Sequence, residues 1–304
     1  MKKIIFFGTH NFATTILQGL IDSPFISVEL VVTQPDKPVG RKKILQKSPV
    51  KILAEQYNLP IIQPLSLKNY QLPITDYQVA IVAQYGLLIP KQLLDDSSHG
   101  FINIHTSLLP KYRGASPIQS ALINGETETG VTIMKMDEGL DTGPIISQKS
   151  IEIESDDTYL ELDKKLAETG KIALLEAFSK YINNELQPIS QDNSQATTCK
   201  QFSREDGKIN WNKTASQIYN QYRGLTPWPG VWTTWDDSRL KLLKIRPANI
   251  EIEAGKVMAK NAKMYIGCSK NTIEVLDLQL EGKKAMKAKT FLTGFNNINQ
   301  TTLK

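Results

Sequence analysis

Residues 101–117 read FINIHTSLLPKYRGASP, an apolar run that stops at an asparagine and a histidine two positions apart and then turns polar. FINI at 101–104 has no polar alternation, which marks a strand covered on both faces. Other such runs precede it. IIFF at 4–7 is followed by Ala13, Ile16, Leu17 and Leu20 at helical spacing. VELVV at 28–32 is followed by Val50, Leu53, Ala54 and Tyr57, and then come PII at 60–62 and VAIVA at 79–83. Unbroken apolar strands separated by helical patterns predict an α/β fold, a Rossmann-like and mostly parallel sheet with helices on both faces. Ligands bind such sheets beyond the carboxyl ends of the strands. Asn103 and His105 stand at one of those ends.

Downstream, the pattern predicts a helix over 116–123 (SPIQSALI), a strand over 130–136 (GVTIMKM) and a glycine-flanked loop, DEGLDTGP. A long helix follows from about Asp157 to Asn183. Residues 186–200, LQPISQDNSQATTCK, offer little to bury and mark a domain boundary. The expected partition is a Rossmann-like domain over 1–185, a linker over 186–203 and a second domain over 204–304. VWTTW, LKLLKI, KVMA, MYIG and IEVLDL in that last part are short strands punctuated by Asp, Asn and Gly, the pattern of a small OB-like β-barrel. Trp228, Trp232 and Trp235 are expected to pack its core, with base stacking as the alternative.

At 304 residues the chain is long enough for two domains. Its charge is unevenly distributed: residues 1–199 hold 18 Lys+Arg against 22 Asp+Glu, and residues 200–304 hold 18 against 9. A carboxy-terminal part with a net charge of +9 suits a polyanion, although lysines kept for solubility would produce the same count. No apolar run approaches the length of a membrane span. MKKIIFFGTH reads as a buried first strand and not a signal peptide, so a cytoplasmic protein is expected. Cys199 and Cys268 form no CxxC and have no neighbouring histidine, so they are expected to be ordinary thiols, with no metal. The turn GTHNFA has a single glycine where a dinucleotide site has three, and is read as part of a site wall. His99 is read as a surface or turn residue.

Asparagine is uncommon in strands, so Asn-x-His at a strand end calls for a reason. The two-residue period puts Asn103 and His105 on one face. An amide donor can stabilise an oxyanion and an imidazole can exchange a proton near neutral pH, a combination suited to acyl transfer. A carboxylate to orient the imidazole is expected downstream, at Asp137 or Asp141, and the glycines of GLDTG favour a tight turn holding Asp141. Taken alone, the pair is equally compatible with a structural strand cap.

The run NIHTSLLPKYRGASPIQSALINGETETGVTIMKMDEGLDTGPII, 103–146, resembles the signature of the folate-dependent formyltransferases. Over residues 2–295 the chain is similar to the methionyl-tRNA-directed branch of that family. FFGTHNFA, TQPDKPVGRKK, SPVKILAEQYNLPIIQP, YGLLIP, LTPWPG and EGKKAMKAKTFL carry the likeness. The resemblance implies that Asn103, His105 and Asp141 form a catalytic trio and that Ser107, Leu108, Leu109 and Pro110 contact folate. It also implies a basic loop at about 34–48, with Arg41, Lys42 and Lys43 reaching toward the acceptor stem of a tRNA, and a second domain that holds the tRNA. The implied formyl donor is 10-formyltetrahydrofolate, the acceptor is the methionine amine of initiator methionyl-tRNA, and the enzyme is expected to act as a monomer. His10-Asn11 replaces the family's more frequent Pro-Asp, and Thr106 replaces a smaller residue. The alternatives are a formyltransferase acting on a 4-amino sugar nucleotide, a non-catalytic nucleic-acid-binding protein, and a nicotinamide-dependent oxidoreductase.

Overall fold

The structure, a computed structural model, describes residues 1–40 and 43–304. Its residues group into two compact units. The first comprises 1–117, 128–152 and 163–199, and the second 118–127, 153–162 and 200–304.

The first unit opens with β1 (Lys2–Gly8), whose IIFFG is fully buried, and α1 (Asn11–Ile21), whose Phe12, Ala13, Ile16, Leu17 and Leu20 form one buried face. Then come β2 (Ile26–Val32), a hairpin of β3 (Lys37–Val39) and β4 (Ile44–Gln46), and α2 (Pro49–Gln56). Ser48 caps α2 by accepting from Lys51 N at 3.0 Å, with Pro49 at the first helical position. β5 (Ile61–Ile62), β6 (Val79–Ala83), α3 (Lys91–Leu94), β7 (Phe101–His105) and β8 (Arg113–Gly114) follow. α4 (Pro117–Asn124), which belongs to the second unit from residue 118 on, leads to β9 (Glu128–Lys135), β10 (Ile145–Glu152), α5 (Tyr159–Ile182) and β11 (Thr198–Cys199).

Seven strands form one sheet in the order β10-β9-β7-β6-β1-β2-β5. β1, β2, β5, β6 and β7 are parallel, while β9 runs antiparallel to both β7 and β10. β10 is absent from the sequence reading because ISQKSIE alternates and carries charge, the habit of an exposed edge strand. On one face Ile5, Phe7, Leu30, Val32, Ala80, Tyr85 and Phe101 pack together. On the other, Gly170 of α5 lets the helix approach closely, since a Cβ there would stand 3.1 Å from Ile104 and 3.4 Å from Ile16. The chain leaves β1 toward β2 and β5, then returns on the other side of β1 at β6, so the strand order reverses between β1 and β6. That reversal is where sheets of this kind open a crevice, and β7 lies one strand away.

The second unit holds α6 (Ala215–Leu225), begun by a Thr214–Gln217 capping box. β12 (Val231–Trp235), β13 (Ser238–Ala248), β14 (Val257–Lys260), β15 (Lys263–Gly267), β16 (Thr272–Leu280), β17 (Met286–Lys287) and α7 (Ala288–Gly294) follow. The sheet order is β12-β13-β16-β15-β14, all antiparallel, with β17 beside β16. Asp236-Asp237 and Asn261-Ala262 turn two of the hairpins with positive φ at both positions, as two-residue hairpin loops require. Residues 301–304 bridge the outer strands: Val257 N donates to Thr301 O at 2.9 Å, and Thr234 N to Lys304 O at 3.0 Å. The sheet therefore closes on itself around Val231, Leu240, Leu242, Val257, Ile266, Ile273 and Phe291. Trp232 and Trp235 are buried as expected, but Trp228 is 54% exposed. It stands between Pro227 and Pro229, each preceded by a cis peptide bond, in a turn outside the strands that bury its neighbours.

Candidate active site

β7 places Asn103 opposite Val82 of β6 and His105 opposite Thr132 of β9. Their common face meets the loop between β9 and β10. That loop is tight because Lys135 N donates to Pro144 O at 2.9 Å, and a Cβ on Gly143 would fall 1.8 Å from Lys135 O, so only glycine fits. Asp137 builds the loop from inside, accepting from Gly139 N at 3.0 Å and Thr142 Oγ1 at 2.7 Å. Asp141 takes a positive φ of 55°, unusual for a residue with a side chain, and its carboxylate turns toward β7.

The three side chains converge. Asn103 Nδ2 lies 3.5 Å from Asp141 Oδ1, and His105 Nδ1 lies 3.6 Å from Asp141 Oδ2. Gly114 N donates to that second oxygen at 2.8 Å. His105 Nε2 is 2.9 Å from the carbonyl oxygen of Tyr112, which can only accept, so this nitrogen carries the proton. Separations of 3.5–3.6 Å are too long for strong direct hydrogen bonds and leave donor capacity for a reacting group. Asp137, the other carboxylate weighed from the sequence, is committed to its own turn.

Residues 107–110 form a fixed turn beside the trio. Thr132 Oγ1 donates to Ser107 O at 2.6 Å and accepts from Leu109 N at 3.0 Å, while Gln148 Nε2 donates to Leu109 O at 2.8 Å. Leu109-Pro110 is cis. Leu108 is half-buried and seats on Gly130, where a Cβ would lie 2.5 Å from its Cδ2.

The basic stretch at 34–48 forms the hairpin of β3 and β4. Arg41 and Lys42 lie outside the described residues. Lys43 is exposed, and so are Ile44 and Leu45 beside it. The hairpin's base is fastened: Gln34 Nε2 donates to Tyr85 O at 2.7 Å, and Gln63 Nε2 donates to Asp36 Oδ1 at 2.8 Å. Lys51 Nζ completes the fastening at 2.8 Å from Asp36 Oδ2. The hydrogen bonds from Lys51 and Gln63 hold the Asp36 carboxyl below its ordinary pKa. A cleft of about 610 Å³ runs between this hairpin, α2 and the start of α1. Its lining includes His10, whose imidazole pKa is lowered by burial and by nearby Lys37, but none of the trio. His99 is half-buried, its ring edge-on to Tyr181. Cys199 Sγ lies 3.4 Å from the carbonyl oxygens of Tyr112 and Arg113, and burial pushes the Cys268 thiol up to about 12.

The groups that a sequence reading misses are those supplied by the backbone and by the tract before the second unit: the Tyr112 carbonyl, the Gly114 N–H, Thr132, Gln148 and Gln191. No residue type announces a main-chain acceptor, and YRG at 112–114 was legible only as part of a longer motif.

A model of the family described as formyl transferase matches residues 2–178, and one described as formyl transferase, C-terminal domain, matches residues 201–296. The methionyl-tRNA formyltransferase of Caldicellulosiruptor saccharolyticus is 42% identical over 302 residues, covering 96% of each chain. The chain belongs to the methionyl-tRNA formyltransferase family. A methionyl-tRNA formyltransferase of Staphylococcus aureus is 43% identical over 305 residues, 98% of this chain and 97% of its own. Among solved structures, the sugar 3N-formyl transferase WlaRD, crystallised in the presence of dTDP and 5-N-formyl-THF, is 27% identical. It has a TM-score of 0.68 and covers 93% of this chain and 99% of its own. HypX of Aquifex aeolicus, in complex with tetrahydrofolic acid, shares the fold at 15% identity and TM-score 0.64, covering 99% of this chain and 48% of its own. Among the described residues no helix is long and apolar enough to cross a membrane.

Proposed function

We infer that this chain transfers a formyl group from 10-formyltetrahydrofolate to the methionine amine of initiator methionyl-tRNA, supplying formylated initiator for translation in the cytoplasm. The observation that carries the reading is the meeting of Asn103, His105 and Asp141 within 3.6 Å at a strand end, in a chain of this family.

The residues suit a folate co-substrate. Asp141 can occupy only one of the two N–H groups of Asn103, and the turn at 107–110 has its polar groups satisfied from below by Thr132 and Gln148. A rigid, half-apolar ledge therefore lies beside a free amide donor. Ser107, Leu108, Leu109 and Pro110 would hold the folate, which supplies the formyl carbon and its oxygen. Asn103 donates to the oxygen on which negative charge develops. His105 is anchored through Nε2, so Nδ1 faces the reaction. Protonated, that nitrogen is a second donor to the same oxygen. Asp141 would accept the proton that the amine loses as its bond to the formyl carbon forms, with the Gly114 N–H holding the carboxylate in place. As the bond from that carbon to N10 breaks, the proton would pass to N10 of the departing tetrahydrofolate. Fixing amine and formyl carbon together contributes the remaining acceleration.

The tRNA contacts proposed are Arg41, Lys42 and Lys43 on the hairpin and the basic domain over 204–304, each neutralising phosphates. The enzyme acts as a monomer. A sugar-nucleotide acceptor is the rival reading, and the identities weigh against it: 42–43% to the tRNA enzymes over nearly the whole chain, against 27% to the sugar enzyme. Incubation with 10-formyltetrahydrofolate and either methionyl initiator tRNA or a 4-amino sugar nucleotide separates them. Formyl-methionyl-tRNA is expected; product from the sugar alone would overturn the acceptor, and product from neither would overturn the trio.

A further inference from the structure

The tract 186–199, polar and free of regular structure apart from one 3₁₀ turn and the short β11, is bonded to the catalytic loops more closely than a connector needs to be. Ile189 forms an antiparallel bridge to Ile145, at the exit of the Asp141 loop, with both hydrogen bonds at 2.8 Å. β11 pairs in parallel with β8, where Gly114 leaves no room for a side chain, a Cβ falling 2.4 Å from Cys199 O. Thr197 Oγ1 accepts from Tyr112 N at 2.9 Å. Between these points Gln191 reaches inward. Its Nε2 donates to Asp141 O at 2.9 Å and to Gly143 O at 2.7 Å, and its Oε1 accepts from Arg113 Nε at 3.0 Å and Nη2 at 2.7 Å. Arg113 is buried, and its Nη2 also donates to Asn193 Oδ1 at 2.8 Å.

Gln191 therefore ties two loops that the chemistry uses. One carries Asp141, held at a positive φ that its own side chain disfavours. The other carries Tyr112 and Gly114, which orient His105 and the Asp141 carboxylate. We propose that Gln191 is a positioning residue for formyl transfer, its two N–H groups fixing the backbone from which Asp141 addresses His105 and Asn103. A glutamine is specific to this task because only an amide can donate to two carbonyls while accepting from a guanidinium. The inference rests on the role proposed above for Asp141.

The test compares Gln191→Ala and Gln191→Glu in the full chain. Glutamate keeps the length and the acceptor for Arg113 but loses the donors to Asp141 O and Gly143 O. Both variants are expected to lower kcat on the order of 10- to 100-fold, with KM for folate and tRNA little changed and the pH profile of kcat altered. Gln191→Glu, which keeps the acceptor for the buried Arg113, should lower the thermal midpoint less than Gln191→Ala. Wild-type kcat in Gln191→Glu would overturn the proposal and leave Gln191 a partner for Arg113 alone; failure of both variants to fold would overturn it as well, making Gln191 a residue of the fold and not of the reaction. If wild-type enzyme made no formyl-methionyl-tRNA, the functional reading would fail first and separately.

Discussion

The imidazole of His105 gives its Nε2–H to the carbonyl oxygen of Tyr112 at 2.9 Å, and presents Nδ1 to Asp141 at 3.6 Å. A backbone acceptor sets the tautomer, and in the proposed mechanism Asp141 works on the other, reacting side of the ring. With ¹⁵N-labelled histidine, the His105 Nε2 resonance is expected to be that of a proton-bearing nitrogen. An Nε2 without its proton would refute this orientation. His105→Ala is expected to lower kcat roughly 10²- to 10⁴-fold, the usual range for a positioned proton donor.

In the proposed mechanism Asn103 is the neutral donor. Because it reaches Asp141 at only 3.5 Å, its loss should cost little stability and much transition-state stabilisation. Asn103→Ala is expected to lower kcat on the order of 100-fold or more, with folate binding retained in an equilibrium titration. Normal turnover would remove Asn103 from the mechanism.

The basic hairpin is fastened at its base and exposed at Lys43. Replacing Arg41, Lys42 and Lys43 with alanine should raise KM for tRNA and spare folate binding. Each phosphate that the variant no longer neutralises lowers the slope of log affinity against log salt by about 0.7–0.9. A salt titration with an unchanged slope would place the tRNA-binding cations elsewhere.

Much of this was legible in the residues. FINIH and VAIVA announced central parallel strands because burial on both faces leaves no alternation, and Asn103 and His105 shared a face because strands have period two. Asp141 was legible through the glycines around it, which the structure explains by the crossing of Gly143 over Lys135 O. β10 was not legible, being an alternating, charged edge strand. Nor was the hydrogen bonding of Tyr112, Gly114 and Gln191, because main-chain acceptors and donors leave no trace in residue identity. Polar composition at 186–200 signalled a lack of core, which is true of its burial and uninformative about its hydrogen bonds.

Asp206 fastens the start of the second unit's segment 200–304 through hydrogen bonds to its carboxylate. Its carboxylate accepts from Lys200 Nζ at 2.6 Å, and from Ser203 N and Ser203 Oγ at 2.7 Å each. The hydrogen bond from Lys200, with those from Ser203, brings its pKa down to about 2. An unfolded aspartate titrates near ~3.9, so the folded state binds the proton less readily. The contribution is complete above the unfolded value and disappears as pH falls through about 2. Asp206→Asn removes the charge at every pH. It should lower the thermal midpoint near neutrality, and the gap between variant and wild type should narrow as the pH is taken from ~4 toward ~2. Melting curves recorded across that range decide it: a constant gap would mean that Asp206 acts through its shape and not through its charge.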